Sequence, residues 1–561
     1  MNEVATKEAA IDGQATCHAP ASGSGDAAGL RRPATGIGRT APRVPGDARD
    51  RVVVVGAGSG GLSAAIALAI EGRPVTVVEA GPGPGGKMRD IDVDGTPVPA
   101  GPTVLTMRWA FDELLAPLGL ALEDIVAIEP SEVLARHAWT DGSALDLMAD
   151  EDDSAERIAA FASRRDAEGF RAFCRESRRI HDILLDTHMR AQRPSFAGLM
   201  GRIGPRRFPD MMALRPYSSL WKALSQHFRD PRLRQLFGRY ATYTGSSPHA
   251  IPATLMLIAH VERAGVWRVA GGMAALARAL EGIASRLGVE LRYGEPIERI
   301  EVEGGRATGV RLKGGGRIAA AGIVANADAG AMADLAPEAG VPRVPRAKRS
   351  YSALTVCARA RTRFPLAHHT VFFSDDYRAE FDELARGEVP DDPTTYICAS
   401  ARDDAGRGVG PDAAEPMLML VNAPANGDAR DYHGEVETCR QRMTSLLRRC
   451  GMELEWEAWE ATTPTDFAAR FPATGGALYG RTTDGPFAGF RRPGATTSVP
   501  NLTLAGGSCH PGPGVPMSAI SGRLAAERLT AALASTSMSR PAAISGGTAT
   551  ASATTGATPS R

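Results

Sequence analysis

RVVVVGAGSGGLSAAIALAIEGRPVTVVEA, residues 51–80, reads as a strand, a glycine turn, a helix and a second strand that closes on an acid. This order predicts a dinucleotide-binding βαβ unit. Val52 to Val55 form an unbroken β-branched run, suited to a parallel strand buried on both faces. Gly56, Gly58 and Gly61, with Gly60 between them, supply the G-x-G-x-x-G turn. The first glycine allows the tight turn and the second lets the backbone approach a pyrophosphate. The third lets the helix pack on the strand while its N-terminus faces the negative charge. Glu79 lies 23 residues beyond Gly56, where a carboxylate can accept hydrogen bonds from ribose hydroxyls. A glycine turn alone is weak evidence in a chain with 62 glycines; here the strand, helix and acid complete the context.

Working outward, the run AGPGPGGKMR at residues 80–89 resembles the extension found in two-domain FAD flavoproteins rather than in NAD dehydrogenases. That resemblance favours FAD, with Gly86, Lys87 and Arg89 as further contacts. At the other end of the chain, residues 501–529 repeat the strand, glycine turn and helix, which puts Gly506 and Gly507 against the same cofactor. The helix that follows can set its positive end near the flavin pyrimidine. The expected fold class is therefore α/β: a Rossmann-type two-domain FAD flavoprotein with a discontinuous FAD domain and an inserted mixed α+β substrate domain.

Composition narrows the function classes. The 561 residues suffice for two or three domains, and a formal charge of zero argues against a nucleic-acid partner. Seven scattered cysteines form neither a disulfide framework nor a zinc spacing, so no metal is expected and a reducing cytoplasm fits best. No apolar run is long enough to span a bilayer, and the N-terminus carries no apolar signal core. Residues 1–50 and 535–561 lack periodicity and are expected to be disordered.

Between these ends the FAD domain is expected at residues 51–126, 264–350 and 491–534, and the substrate domain at 127–263 and 351–490. Residues 151–186 are charged with helical period, with Phe161, Phe170, Phe173 and Ile180 as buried points. Residues 190–229 hold eight basic residues and one acid, interleaved with Phe196, Met200, Met211, Met212 and Trp221. Such interleaving suits a protein lying on an anionic membrane surface, and equally a domain interface. A peripheral seat on the inner face of the membrane is the expected location.

Taken together, GAGSGGLSAAIALA, EAGPGPGGKM, AGPTVLTMR, VWRVAGGMAALARAL and AGGSCHPGPGVPMSAISG resemble the carotenoid desaturase family of phytoene-desaturase-like FAD enzymes. GPTVLTMRW at residues 101–109 and GSCHPGPGVPMSAISG at 507–522 look most like the hydroxyneurosporene and methoxyneurosporene dehydrogenase branch. The sequence departs from the family at Pro99, where an acid often precedes A-G-P-T. The resemblance implies hydride transfer from an acyclic hydroxylated carotenoid to flavin, with oxygen or a quinone as electron acceptor. It also implies a backbone contact from Ile297 to adenine and places Met517 beside the cofactor. His510, a protonatable group expected beside the flavin, is a candidate proton relay, with a scaffold role as the alternative. Arg108 is a candidate at the substrate mouth or on a cofactor phosphate, with a surface ion pair as the alternative. Other flavoproteins on this scaffold, such as amine oxidases, protoporphyrinogen oxidases and carotenoid isomerases, remain rivals, as does a non-catalytic prenyl-lipid carrier.

Overall fold

The computed structural model describes residues 50–538, apart from 193–194, 205–207 and 411. Most of the two ends expected to be disordered lies outside the described residues. Within them, the C-terminal helix Val515–Met538 runs past the boundary expected at 534. Its alanine-rich stretch, Ala525 to Ala534, carries the helix onward.

Strand β1 (Val52–Val55), helix α1 (Ser59–Ile70) and strand β2 (Val75–Val78) form the expected unit. Val52 pairs in parallel with Val75 on one side and with Gly322 on the other, and none of the four valines is more than 7% exposed. A β-branched run buried on both faces needs cover above and below, and the parallel sheet supplies it. Five strands make this sheet, in the order Leu502–Leu504, Gly322–Ala325, β1, β2, Glu290–Arg292. Segments from the beginning, middle and end of the folded chain thus share one nucleotide-binding sheet. An antiparallel sheet of Ile297–Glu303, Arg306–Leu312 and Arg317–Ala319 flanks it.

The second large sheet has seven strands, in the order Glu455–Thr462, Ser352–Arg361, Glu415–Ala423, Thr395–Ala399, His369–Phe372, Val133–Ala138, Ala144–Met148. Residues from both expected substrate segments therefore build one sheet. The helical insert packs against it. Asp150 caps helix Glu151–Phe161 and Ser163 caps helix Arg164–Leu184, each side chain accepting from backbone N–H groups of the first turn. Phe170, Phe173 and Ile180 are fully buried and Phe161 is partly so, in a core shared with Phe228 and Phe237. The long helix ends in a π-turn, Leu185–Met189, which aims His188 inward.

Candidate cofactor and substrate site

The glycine turn is closed by contacts that leave no room for side chains. A Cβ on Gly61 would lie 1.9 Å from the Gly56 carbonyl oxygen, so only glycine lets α1 start this close to β1. Gly56 N–H donates to the Val78 carbonyl at 2.8 Å, joining the turn to β2. Helix geometry leaves the first-turn N–H groups of α1 without intrahelical acceptors, and they face the end of the sheet. Glu79 sits at that end. Its carboxylate accepts from Ala57 N–H and Gly81 N–H, both at 2.7 Å, which fixes the acid against the turn while leaving lone pairs free. Glu295 N–H donates to the Glu79 carbonyl, and Ile297 opens its strand two residues later, close to the acid.

The extension at residues 80–89 folds back onto the same turn. Gly85 N–H donates to the Ala57 carbonyl at 2.9 Å, and Gly58 bridges Gly85 in parallel. Gly86 lies beside Gly58: a Cβ built on it would stand 3.6 Å from the Gly58 Cα. Lys87 is half-buried, donates to the Leu478 carbonyl and lies over the Phe471 ring. Burial lowers its pKa from the ordinary lysine value, and Asp328 works in the opposite direction.

The C-terminal helix brings in the second glycine turn. A Cβ on Gly522 would stand 2.1 Å from the Gly60 carbonyl oxygen, so the helix packs backbone to backbone against α1. Ser59 Oγ donates to the Val515 carbonyl at 2.9 Å. Gly506 N–H donates to Ser521 Oγ, and Gly507 offers its carbonyl to Arg492. Met517 packs with Met107, Ala110, Met189, Ile520 and Leu524. Gly56, Gly58, Gly60, Gly61, Glu79, Gly86, Gly506 and Gly507 are thus gathered around one junction, as the sequence leads one to expect.

Two residues there escaped sequence reading. Asn326, just past strand Gly322–Ala325, donates from Nδ2 to the Gly56 carbonyl at 3.3 Å and touches the space in front of Gly58, Gly60 and Gly506. Arg492 is buried and donates to the Tyr479, Arg481 and Gly507 carbonyls, tying that loop to the C-terminal turn; burial pushes its pKa down to about 10. The strand-end position of Asn326 was a usable signal. Nothing local marks Arg492.

Two candidate residues are engaged within the protein. Arg108 pairs with Asp112 at 3.0 Å and with Glu123 at 2.8 Å, and its side chain is 27% exposed. The i,i+4 spacing captures the guanidinium in the ion pair that the sequence left as the alternative to the substrate mouth. Arg89 donates to Thr462 Oγ1 at 3.2 Å and stands over Phe467, which links the extension to strand Glu455–Thr462.

His510 is 2% exposed, and neither imidazole nitrogen makes a hydrogen bond of ordinary geometry. Its ring meets His188 edge-on at 4.7 Å, and His188 in turn meets Phe490 at 5.0 Å. Burial pushes the His510 pKa down to about 4 and the His188 pKa down to about 3. Both rings are therefore neutral at pH 7. Between 6.5, the ordinary value, and about 4 the unfolded chain binds protons at these positions that the folded chain does not. Native stability is accordingly expected to fall as pH drops through that window. In thermal melts from pH 7 to pH 4, His510→Asn should show a shallower acid-side decline than the parent; parallel curves would contradict the assignment.

No metal is expected from the sequence. Folding nonetheless brings donor atoms of His368, His369 and Cys398 within 4.8 Å of one another, because the strand register sets His369 opposite Cys398. His369 Nδ1 is already paired with Tyr396 Oη at 2.7 Å, and His368 Nδ1 with the Arg402 carbonyl at 2.8 Å.

The junction fits a dinucleotide. A Cβ built on Gly86 meets nothing closer than 3.6 Å, and one on Gly58 meets only the Asn326 side-chain amide, at 3.1 Å, so these glycines border room that side chains would fill. A fixed acid stands against the first turn, and the buried His510 follows the second, where Cys509 N–H donates to the Gly506 carbonyl. Residues 59–530 match the family model described as flavin containing amine oxidoreductase. The chain belongs to that family. FAD is its cofactor, and the enzyme is an oxidoreductase.

Within the family, the chain is 50% identical to a hydroxyneurosporene desaturase of Rubrivivax gelatinosus, over 90% of this chain and 98% of the relative. It is 45% identical to a hydroxyneurosporene desaturase of Cereibacter sphaeroides, over 87% and 99%. A zeta-carotene-forming phytoene desaturase of Myxococcus xanthus is 32% identical, over 85% and 93%. These relatives place the chain among the carotenoid desaturases of the family. Solved structures share the fold. An oxidoreductase from Methanosarcina mazei has a TM-score of 0.56 at 17% identity, covering 84% of this chain and 98% of its own. Putrescine oxidase bound to putrescine has a TM-score of 0.55 at 15% identity, covering 87% and 99%.

Proposed function

We propose that this family member introduces a C3–C4 double bond into an acyclic 1-hydroxy- or 1-methoxycarotenoid. The observation that carries the reading is 50% identity, over nearly the whole relative, to a protein named hydroxyneurosporene desaturase. FAD, held by the glycine cradle and Glu79, would supply the hydride acceptor.

The chain's own residues do the rest. The glycine cradle and Glu79 fix the cofactor. Met107, Met189, Ile520 and Leu524, packed around Met517, form an apolar wall that excludes water. Hydride loss leaves a cationic carbon chain, whose neighbouring C–H is a strong acid. A weak base therefore suffices to take the proton, and the neutral imidazole of His510 meets that need, with His188 beside it. Anaerobic addition of a 1-hydroxycarotenoid should bleach the visible flavin band; an unchanged spectrum would count against the reading. Electrons then leave to oxygen or to a membrane quinone, separable by comparing turnover under air with turnover under nitrogen plus quinone.

No helix among the described residues is long and apolar enough to cross a membrane. We place the protein peripherally on an anionic membrane surface. Part of the basic stretch is already engaged, Arg190 with Glu113 and Arg215 with Glu176, and Arg206 and Arg207 lie outside the described residues. The support comes instead from exposed apolar groups: Phe196 is 44%, Met212 68% and Tyr217 79% exposed. Phe196 and Tyr217 stack edge-on against Phe487, which leads to Phe490 and His188. Inserted apolar groups resist salt, whereas charge attraction is screened. Replacing Phe196, Met212 and Tyr217 with Ser should cut co-sedimentation with anionic liposomes at both low and high salt. Arg202→Ser should weaken it at low salt only. Undiminished binding of the triple variant would show that the patch does not face lipid.

A further inference from the structure

His368, His369 and Cys398 meet on the seven-stranded sheet, with donor atoms that all lie within 4.8 Å of one another. The sheet makes the cluster. His369 opens the strand His369–Phe372 and stands directly across from Cys398 on the antiparallel neighbour Thr395–Ala399, while the His368 carbonyl accepts from Ala399 N–H at 3.0 Å. His369 and Cys398 are buried and His368 is half-buried. His368 and Cys398 are thirty residues apart, so no short ligand spacing announces them.

The rings are held as metal-binding rings are held. His368 Nδ1 lies 2.8 Å from the Arg402 carbonyl, which can only accept. In the neutral ring this contact fixes the proton on Nδ1 and leaves a lone pair on Nε2, which stands 3.8 Å from Cys398 Sγ. Arg402 is itself clamped by Glu415, through Nε at 2.9 Å and Nη2 at 2.6 Å, so the carbonyl that orients the imidazole is fixed in place. His369 is oriented through Nδ1, 2.7 Å from Tyr396 Oη, which continues to Thr103 Oγ1 at 2.6 Å. Outer contacts of this kind set the tautomer and direction of ligating histidines.

Spacing and chemistry select the occupant. A tetrahedral zinc, with Zn–S of about 2.3 Å and Zn–N of about 2.0 Å, separates sulfur from nitrogen by about 3.5 Å. The His368–Cys398 pair at 3.8 Å is close to that spacing already, and the His369 donor has to move by little more than about 1 Å. Two imidazoles and a thiol suit a borderline cation and offer nothing that magnesium or calcium prefers. We infer that His368, His369 and Cys398 bind one zinc-class divalent cation, with water in the fourth position on the half-buried His368 side. As the Zn–S bond forms, the Cys398 S–H bond breaks and its proton passes to solvent, with no change of oxidation state. The ion ties strand His369–Phe372 to strand Thr395–Ala399, and the Tyr396–Thr103 hydrogen bond carries that hold to the G-P-T turn.

The test uses the flavin-loaded full chain, stripped of metal with a chelator and dialysed, then titrated with Zn2+ and, because closed-shell zinc is colourless, with Co2+ as its spectroscopic stand-in. One equivalent of Co2+ should give d–d absorption in the red, beyond the flavin bands, together with a thiolate-to-cobalt charge-transfer band, and Zn2+ should displace both. Saturating Zn2+ should raise the melting temperature by about 3 °C or more. Cys398→Ser should abolish the charge-transfer band and lower zinc affinity by more than about 100-fold, since loss of an outer contact alone costs about 10- to 100-fold. His368→Gln, at a half-buried position, should weaken binding to a similar degree. Cys357→Ser, a buried thiol in the same apolar cluster as Cys398, should leave the cobalt bands and the zinc affinity intact. Flavin content and the melting temperature without metal check folding. Cobalt bound without a thiolate band, zinc binding that survives either ligand change, or no stoichiometric binding at all overturns the site.

Discussion

Gly58→Val is expected to give a folded, colourless protein. Gly58 has φ −72° and ψ 176°, a conformation open to valine, and a Cβ there meets only Asn326 Nδ2, at 3.1 Å. The side chain therefore disturbs little protein and points into the room where the pyrophosphate must pass. Flavin content should fall to near zero and turnover by more than about 100-fold, with circular dichroism close to that of the parent protein stripped of flavin. Flavin content equal to that of the parent would defeat the cradle assignment. Gly61→Ala should fail differently, through the clash with the Gly56 carbonyl, by unsettling the turn itself. Glu79→Gln should weaken FAD retention more mildly. An amide keeps one acceptor, but it turns an N–H toward Ala57 or Gly81.

Glu415→Ala is expected to be among the most destabilising single changes in and around the seven-stranded sheet. Arg402 reaches Glu415 through Nε at 2.9 Å and Nη2 at 2.6 Å, and the two side chains are 8% and 1% exposed. Removing the acid leaves the guanidinium buried with only the distant Phe364 and Leu366 carbonyls at 3.5 Å. Such a loss costs about 3 to 5 kcal/mol, read as a lower denaturant midpoint. Replacing both partners, with Arg402→Met and Glu415→Leu, should recover most of it, since no charge is then stranded. An unchanged midpoint in Glu415→Ala would mean that water reaches the pair.

What was legible in the sequence was local. The β1 turn, Glu79 and the Gly85–Gly86 extension lie within some thirty-five residues, and their spacing alone imposes the geometry. The C-terminal turn was legible because it repeats that grammar. What was not legible depends on distant partners. His188 reaches His510 only because a π-turn ends its helix, and Arg492 matters only once residues 479–481 lie beside Gly507. The seven-stranded sheet joins Val133–Ala138 to strands more than two hundred residues later, a pairing no periodicity announces. Arg108 shows the converse. Its i,i+4 partner Asp112 was in plain view, and of the readings the sequence offered the local ion pair is the one the fold realises.

The choice of substrate is settled by supplying phytoene and a 1-hydroxycarotenoid separately to the flavin-loaded enzyme with membranes, then extracting and identifying the pigments. The hydroxylated carotenoid should be converted efficiently to a product with one new double bond at C3–C4 and red-shifted absorption, with little or no change in phytoene. Efficient desaturation of phytoene with no action on the hydroxylated carotenoid would contradict it.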